Sequence, residues 1–339
     1  MAKKILVSGG AGYIGSHVVR QLGEAGYDIV VYDNLSTGSA SAVLYGQLVV
    51  GSLEDTDHLA RVFAEHQFDA VLHFAASISV PDSVVSPLSY YANNTRNTLN
   101  LLQCCQTFNV QKIIFSSTAA VYGEPKENPI TEQSVTSPIN PYGCSKLMSE
   151  QMIRDYSQSS DLNYVILRYF NVAGADPEGR IGQSGKKAEH LIKVVCDAAL
   201  GRRSYVGIFG TDFSTPDGTG VRDYIHVEDL AKAHVDALRY LETENESQIL
   251  NCGYGQGYSV QDVIDKAKEV SGVDFAVRAL PRRAGDPAYV VADSEKIRRI
   301  LGWQPTFNSL DAMITTALDW DRQLLKRSES LVTTQSVSS

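Results

Sequence analysis

Residues 4–15 read KILVSGGAGYIG. A short apolar run, residues 3–8, breaks into glycines and is followed by a segment of different periodicity. Over 13–25, Ile14, Val18, Val19 and Leu22 recur on one helical face, and Gly26 stops the helix. Gly9, Gly12 and Gly15 therefore fall in a strand–turn–helix context. The first glycine permits a tight turn, and the third lets helix and strand pack closely. The second leaves the backbone open to a phosphate at the helix N-terminus, where free N–H groups and the helix dipole favour an anion.

The same alternation continues outward. Apolar strands are expected at 29–33, 48–51, 70–74, 112–117 and 164–169, with helices at 57–65, 88–108 and 142–157 between them. This order predicts an α/β fold with a Rossmann-type, doubly wound parallel sheet over residues 1–171. Beyond Asn171 the pattern loosens. Helices at 190–200, 228–241, 259–270 and 309–325, with short strands at 204–209 and 249–252, predict a smaller mixed α/β substrate-binding lobe over 172–327. Some of its segments are expected to pack back on the first domain. Residues 328–339 are polar and read as a disordered tail.

Composition narrows the function classes. The chain has 339 residues, is 43% hydrophobic and carries a formal net charge of −9, which argues against nucleic acid or an anionic membrane as its main partner. No secretory signal or membrane-spanning run is visible, and the five cysteines are odd in number without metal-ligand spacing. A cytoplasmic protein with reduced thiols and no metal is expected.

Two features carry chemistry. Asp33 ends the second strand, 18 residues after Gly15. A carboxylate there accepts both hydroxyls of an adenosine ribose and repels a 2′-phosphate, which predicts NAD rather than NADP. His73, at the end of a later strand, reads as structural. Tyr142 and Lys146 stand four apart in Tyr-Gly-Cys-Ser-Lys, on one face of a helix. A phenol titrates near 10, and lowering it by roughly 3 units takes about 4 kcal/mol of differential stabilisation. A fixed ammonium in a shielded cleft, helped by an oxidised nicotinamide, is expected to supply that. The pair reads as a proton-transfer device beside a hydride acceptor.

The segments GGAGYIGSH, DNLSTG, HFAA, NNTRNTL, SSTAAVYGEP, NPYGCSK, LRYFNVAGA, GTGVRDYIHVEDLA and RRAGDPA occur in this order. Together they resemble the extended short-chain dehydrogenase/reductases, and among these the UDP-glucose (UDP-galactose) 4-epimerases, over roughly residues 3–325. The resemblance implies Tyr142 as catalytic base, Lys146 as its partner and Thr118 as a hydrogen-bonding group for the reacting hydroxyl. It implies NAD contacts at Gly9, Gly12, Tyr13, Ile14, Gly15, Asp33, Asn34, Phe74, Ala75, Ala76, Asn94, Ser116 and Tyr169, besides Tyr142 and Lys146. Ser52 and Leu53 stand where the family often has Asp near the adenine, and Ile78 replaces an occasional lysine. Asn171, Leu191, Phe209, Arg222, Tyr224, Arg283 and Asp286 match positions that hold UDP. Two arginines suit a diphosphate, although Arg222 would also fit a plain ion pair with Asp223.

The resemblance further implies inversion at carbon 4 of a UDP-hexose through a 4-keto intermediate, and a homodimer. The dimer would form through helices 88–108 and 142–157, with Leu99, Leu102, Met148 and Met152 as either interface or core. A related dehydratase needs acid and base just after Thr118, where this chain has Ala119 and Ala120. A UDP-sugar dehydrogenase or reductase and a non-catalytic NAD-binding regulator are the remaining alternatives. Segment 285–291 is expected over the sugar, with Val290 as a size gate that admits acetamido sugars. A shift of one residue would place Tyr289 there and reverse that expectation.

Overall fold

The computed structural model describes residues 2–185, 190–283 and 286–337, with 328–337 as backbone only. Its strands in chain order are β1 Lys4–Ser8, β2 Asp28–Asp33, β3 Gln47–Val50, β4 Ala70–His73, β5 Lys112–Thr118, β6 Asn163–Tyr169, β7 Asn171–Ala173, β8 Val206–Phe209, β9 Val221–His226, β10 Gln248–Cys252, β11 Gly257–Ser259, β12 Val277–Leu280 and β13 Tyr289–Val290. Seven of them form a parallel sheet in the order β3-β2-β1-β4-β5-β6-β10. The strands are continuous apolar runs because both faces are covered. On one face Val7, Val31 and Leu72 join Val18, Val19 and Leu22 of helix α1 Tyr13–Glu24. On the other, Leu6, Val30 and Ile113 meet Leu59 and Phe63 of α2 Thr56–His66.

The helical stretch expected at 88–108 is broken into registers. Two short helices, α3 Val80–Val85 and α4 Pro87–Tyr90, lead into a π turn at Tyr91–Arg96 and then α5 Asn97–Thr107. Helix α6 Pro141–Gln158 follows β5. Asn140 caps it by accepting from Gly143 N at 2.9 Å, and Pro141 sits in its first turn.

The second half contains α7 Leu191–Ala199, α8 Val227–Thr243, α9 Val260–Ser271, α10 Glu295–Leu301 and α11 Leu310–Val337. Strand β10 closes the edge of the main sheet beside β6, and α8 packs on α1. Strand β9, unexpected from the sequence, pairs with β7, β11 and β13 in a separate sheet. Its charged letters hide it. Asp223 is wholly buried and takes backbone N–H groups from Tyr254, Gly255 and Ala292 at 3.0, 2.9 and 3.2 Å. Helix α11 runs from Leu310 to Val337, past the end expected at residue 325; residues 338–339 lie outside the described ones.

One carboxylate ties the C-terminal segment to this frame. Asp229, 1% exposed near the start of α8, accepts from Thr306 N at 2.7 Å, Thr306 Oγ1 at 3.0 Å, Phe307 N at 2.8 Å and Tyr254 OH at 2.6 Å. Asp229→Ala strands these donors and should cost about 3 kcal/mol. The measurement is the urea midpoint, which should fall with little change of slope; an unchanged midpoint would refute the assignment.

Candidate active site

The glycine turn is built as its sequence demands. Gly9 has φ 77°, and a Cβ there would stand 2.5 Å from Ala75 N. The two strand ends meet here because Ser8 O accepts from Phe74 N at 2.8 Å and Ala75 N at 3.1 Å. A Cβ on Gly15 would lie 2.3 Å from Gly9 O, so only glycine lets helix and turn approach this closely. At Gly12 a Cβ would meet only Gly9 O, at 3.3 Å, and no side chain caps the helix. An uncapped N-terminus with open space above it fits a pyrophosphate.

Asp33 is braced against the same turn. Its Oδ2 accepts from Ala11 N at 3.0 Å and its Oδ1 from Leu35 N at 2.8 Å. Asn34 turns the chain by accepting from Ser36 N at 3.0 Å, and Gly38 then packs where a Cβ would be 2.6 Å from Ala11 O. Ser52 O receives the Tyr32 hydroxyl at 3.0 Å, and Leu53 is buried. The Tyr13 hydroxyl donates to Gly174 O at 2.5 Å and links the turn to the second lobe, while Ile14 packs on the main core. Across the turn, Phe74 lies 4.8 Å from the His234 ring. His73 is held by Ser8 Oγ at 2.7 Å and Thr98 Oγ1 at 3.0 Å, and burial pushes it down to about 3. It is a neutral structural residue.

The central feature is the register between α6 and the end of β5. The Tyr142 side chain faces that of Thr118, which favours its ionised form. One turn on, Lys146 Nζ donates to Ser116 O at 2.9 Å and lies 4.8 Å from the Phe115 ring centre. A further turn on, Glu150 receives the Ser117 hydroxyl. Asn94, placed by the π turn, steadies the same helix. Its amide donates to Ser77 O and Ser145 Oγ, each at 3.0 Å, and its Oδ1 accepts from Ser77 N at 2.8 Å. Tyr169 lies beside Thr118 in register. The small residues Ala75 and Ala76 follow β4 along this edge.

Burial sets the electrostatics of the site. It raises the Tyr142 phenol well above its ordinary range, opposed by the neighbouring Thr118 side chain. Burial also pulls Lys146 down to about 7, opposed by Glu150. The dry site disfavours both charges. The first turn of an 18-residue helix still favours negative charge at Tyr142.

The second lobe gathers the expected substrate residues in two groups. Arg222 Nη2 donates to Asp286 Oδ1 at 2.6 Å, and β9 sets Arg222 beside Val290 and Tyr224 beside Asn171. The alternative pair with Asp223 is not formed, because Asp223 turns inward. Arg283 stacks 3.8 Å from the Phe209 ring centre. Leu191 opens α7 against the main core. Val290, like Leu147, packs against a small buried cluster that includes Ala119, Tyr122 and Phe170. Adjacent strand residues face opposite ways, so Tyr289 points elsewhere. Gly285, the first residue of the expected sugar-covering segment, lies outside the described residues.

A family model described as the NAD dependent epimerase/dehydratase family matches residues 5–253. The chain belongs to this family. It is 53% identical over 322 residues to a UDP-glucose 4-epimerase of Azospirillum brasilense, covering 95% of this chain and 92% of that protein. The fold matches the crystal structure of UDP-glucose 4-epimerase from Brucella ovis in complex with NAD, with TM-score 0.91, 43% identity and coverage of 94% and 98%. It also matches the UDP-Glc/GlcNAc 4-epimerase of Campylobacter jejuni, with TM-score 0.85, 49% identity and coverage of 95% and 100%. The family is NAD-dependent, and the uncapped glycine turn with Asp33 at its rim suits that cofactor. Asp33→Asn keeps a hydrogen-bond acceptor but removes the charge. It should weaken NAD binding by about tenfold and narrow the preference over NADP, as read by fluorescence titration. An unchanged NAD/NADP ratio would contradict a ribose role for Asp33.

Proposed function

We infer that this enzyme interconverts UDP-glucose and UDP-galactose by inversion at sugar carbon 4 through a transient 4-keto intermediate. The observation that carries this reading is the Tyr142–Thr118 pair with Lys146 one turn behind it, set beside a nucleotide turn. Thr118 orients the 4-hydroxyl, and Tyr142 takes its proton and later returns it. Bound NAD supplies the hydride acceptor and donor, and its oxidised ring adds the positive charge that a buried phenol needs. Lys146 adds a second cation, and the first turn of α6 a third favourable potential.

Binding is placed on the nucleotide. Arg222 and Arg283 suit the diphosphate, and Phe209 suits the flat uracil. Asn171, Leu191, Tyr224 and Asp286 complete that grip. Strong binding remote from carbon 4, with a loose hold on the sugar, lets the keto sugar present its other face. Ala119 and Ala120 offer no acid or base for eliminating the 6-hydroxyl, which favours epimerisation over dehydration.

The sugar pocket supports a wider range. Val290 packs against the cluster that contains Ala119, the neighbour of Thr118, and Tyr289 is not among the residues packed there. A small residue at this position favours acceptance of UDP-N-acetylglucosamine and UDP-N-acetylgalactosamine. A homodimer through α5 and α6 is supported by Leu99 and Met148, which are 43% and 48% exposed. Leu102 is buried and Met152 packs against the core, so these two belong to the subunit interior. No helix among the described residues is long and apolar enough to cross a membrane, and we place the enzyme in the cytoplasm.

Tyr142→Phe should lower kcat about 10³-fold while UDP still binds, measured by product chromatography and calorimetry; near-parental turnover would refute the base assignment. Val290→Tyr should abolish turnover of the acetamido sugar and spare UDP-glucose. Equal loss on both sugars would refute the gate.

A further inference from the structure

We propose that Glu150 is a positioning residue for proton transfer: its carboxylate, fixed by Arg168 and Ser117 one helical turn beyond Lys146, keeps the Lys146 ammonium charged and aimed at the end of β5. The proposal rests on the reading of Tyr142 and Lys146 given above.

Glu150 and Arg168 are 1% and 3% exposed. Arg168 Nε donates to both carboxylate oxygens, at 3.0 and 3.2 Å, and Nη2 donates to Oε2. Ser117 Oγ donates to the same carboxylate. The other end of the guanidinium is engaged by a neutral group. Nη1 donates to the Tyr122 hydroxyl at 3.1 Å, which donates to Asn251 Oδ1 at 2.7 Å. An ion pair this dry is a poor source of stability, because a well-packed apolar pair of similar volume does as well or better. Its location carries the meaning. Residues 142, 146 and 150 share one helical face, and their partners 118, 116 and 117 are consecutive in β5.

The surroundings of Lys146 single out this carboxylate. From β5 come the Ser116 carbonyl and the Phe115 ring. From β4 comes His73, held neutral by burial, and from α8 His234, pulled down to about 4. Tyr142 and Tyr169 are buried phenols pushed upward. From β6 comes the Arg168 cation, turned toward Glu150 and Tyr122. Among the described residues in these positions, Glu150 is the one anion. It opposes the burial that pulls Lys146 to about 7. Without it, the ammonium would be lost at a lower pH still, below the neutral range, and with it the cation that steadies a Tyr142 phenolate.

The test uses the full chain with ¹³C-labelled lysine, Lys146 being assigned by the signal missing from Lys146→Met. The Lys146 midpoint is compared in the parent, in Glu150→Gln and in Glu150→Gln/Arg168→Met. The double variant avoids stranding a buried guanidinium. In both, the midpoint should fall by about 1 pH unit, and the alkaline limb of kcat on UDP-glucose should move down with it at unchanged KM. A midpoint unmoved in the folded double variant would overturn the proposal, whatever the loss of stability. If the parent shows no epimerisation but the midpoint still falls, the functional reading fails and the role of Glu150 in holding the Lys146 charge stands.

Discussion

The structure depends on one register: a face of α6 carrying Tyr142, Lys146 and Glu150 laid against Ser116, Ser117 and Thr118 at the end of β5. Three side chains at successive helical turns meet three consecutive strand residues. The strand belongs to the middle of a seven-stranded sheet, so its end cannot shift without disturbing β4 and β6. The helix is fixed by its Asn140 cap and by Asn94 through Ser145. Rigidity here serves the chemistry, because proton transfer tolerates little misplacement.

The same register concentrates charge where charge is costly. Burial raises the Tyr142 phenol and brings the Lys146 amine from its ordinary 10.5 to about 7. The sign for folding follows. Between about pH 7 and 10.5 the unfolded chain binds the Lys146 proton and the folded chain has released it. Stability from this group therefore rises with pH across that window and is lowest below it. A fold selected only for stability would place an apolar residue at 146. The second lobe shows the same economy of charge: Asp223 is buried on backbone amides, which leaves Arg222 free of it and turned to Asp286.

Much of this was legible in the sequence where the determinants are local. The turn at Gly9–Gly15, the rim position of Asp33 and the four-residue spacing of Tyr142 and Lys146 are consequences of backbone geometry within a few residues. Strand β9 was not legible, because Val-Arg-Asp-Tyr-Ile-His reads as polar until Asp223 is seen to be satisfied by residues 31, 32 and 69 positions downstream. The π turn carrying Asn94 was hidden inside an unbroken helical pattern. Nothing local in the sequence singles out Glu150, since its partner Arg168 lies on the next strand.

The central claim is that carbon 4 is oxidised and reduced with its own hydride, Tyr142 handling only the hydroxyl proton. The direct measurement is conversion of UDP-[4-²H]glucose by the purified enzyme in ordinary water, with the UDP-galactose product analysed by NMR. The account predicts that deuterium stays at carbon 4. Loss of the label to solvent, or accumulation of the keto sugar with free reduced cofactor, would contradict it.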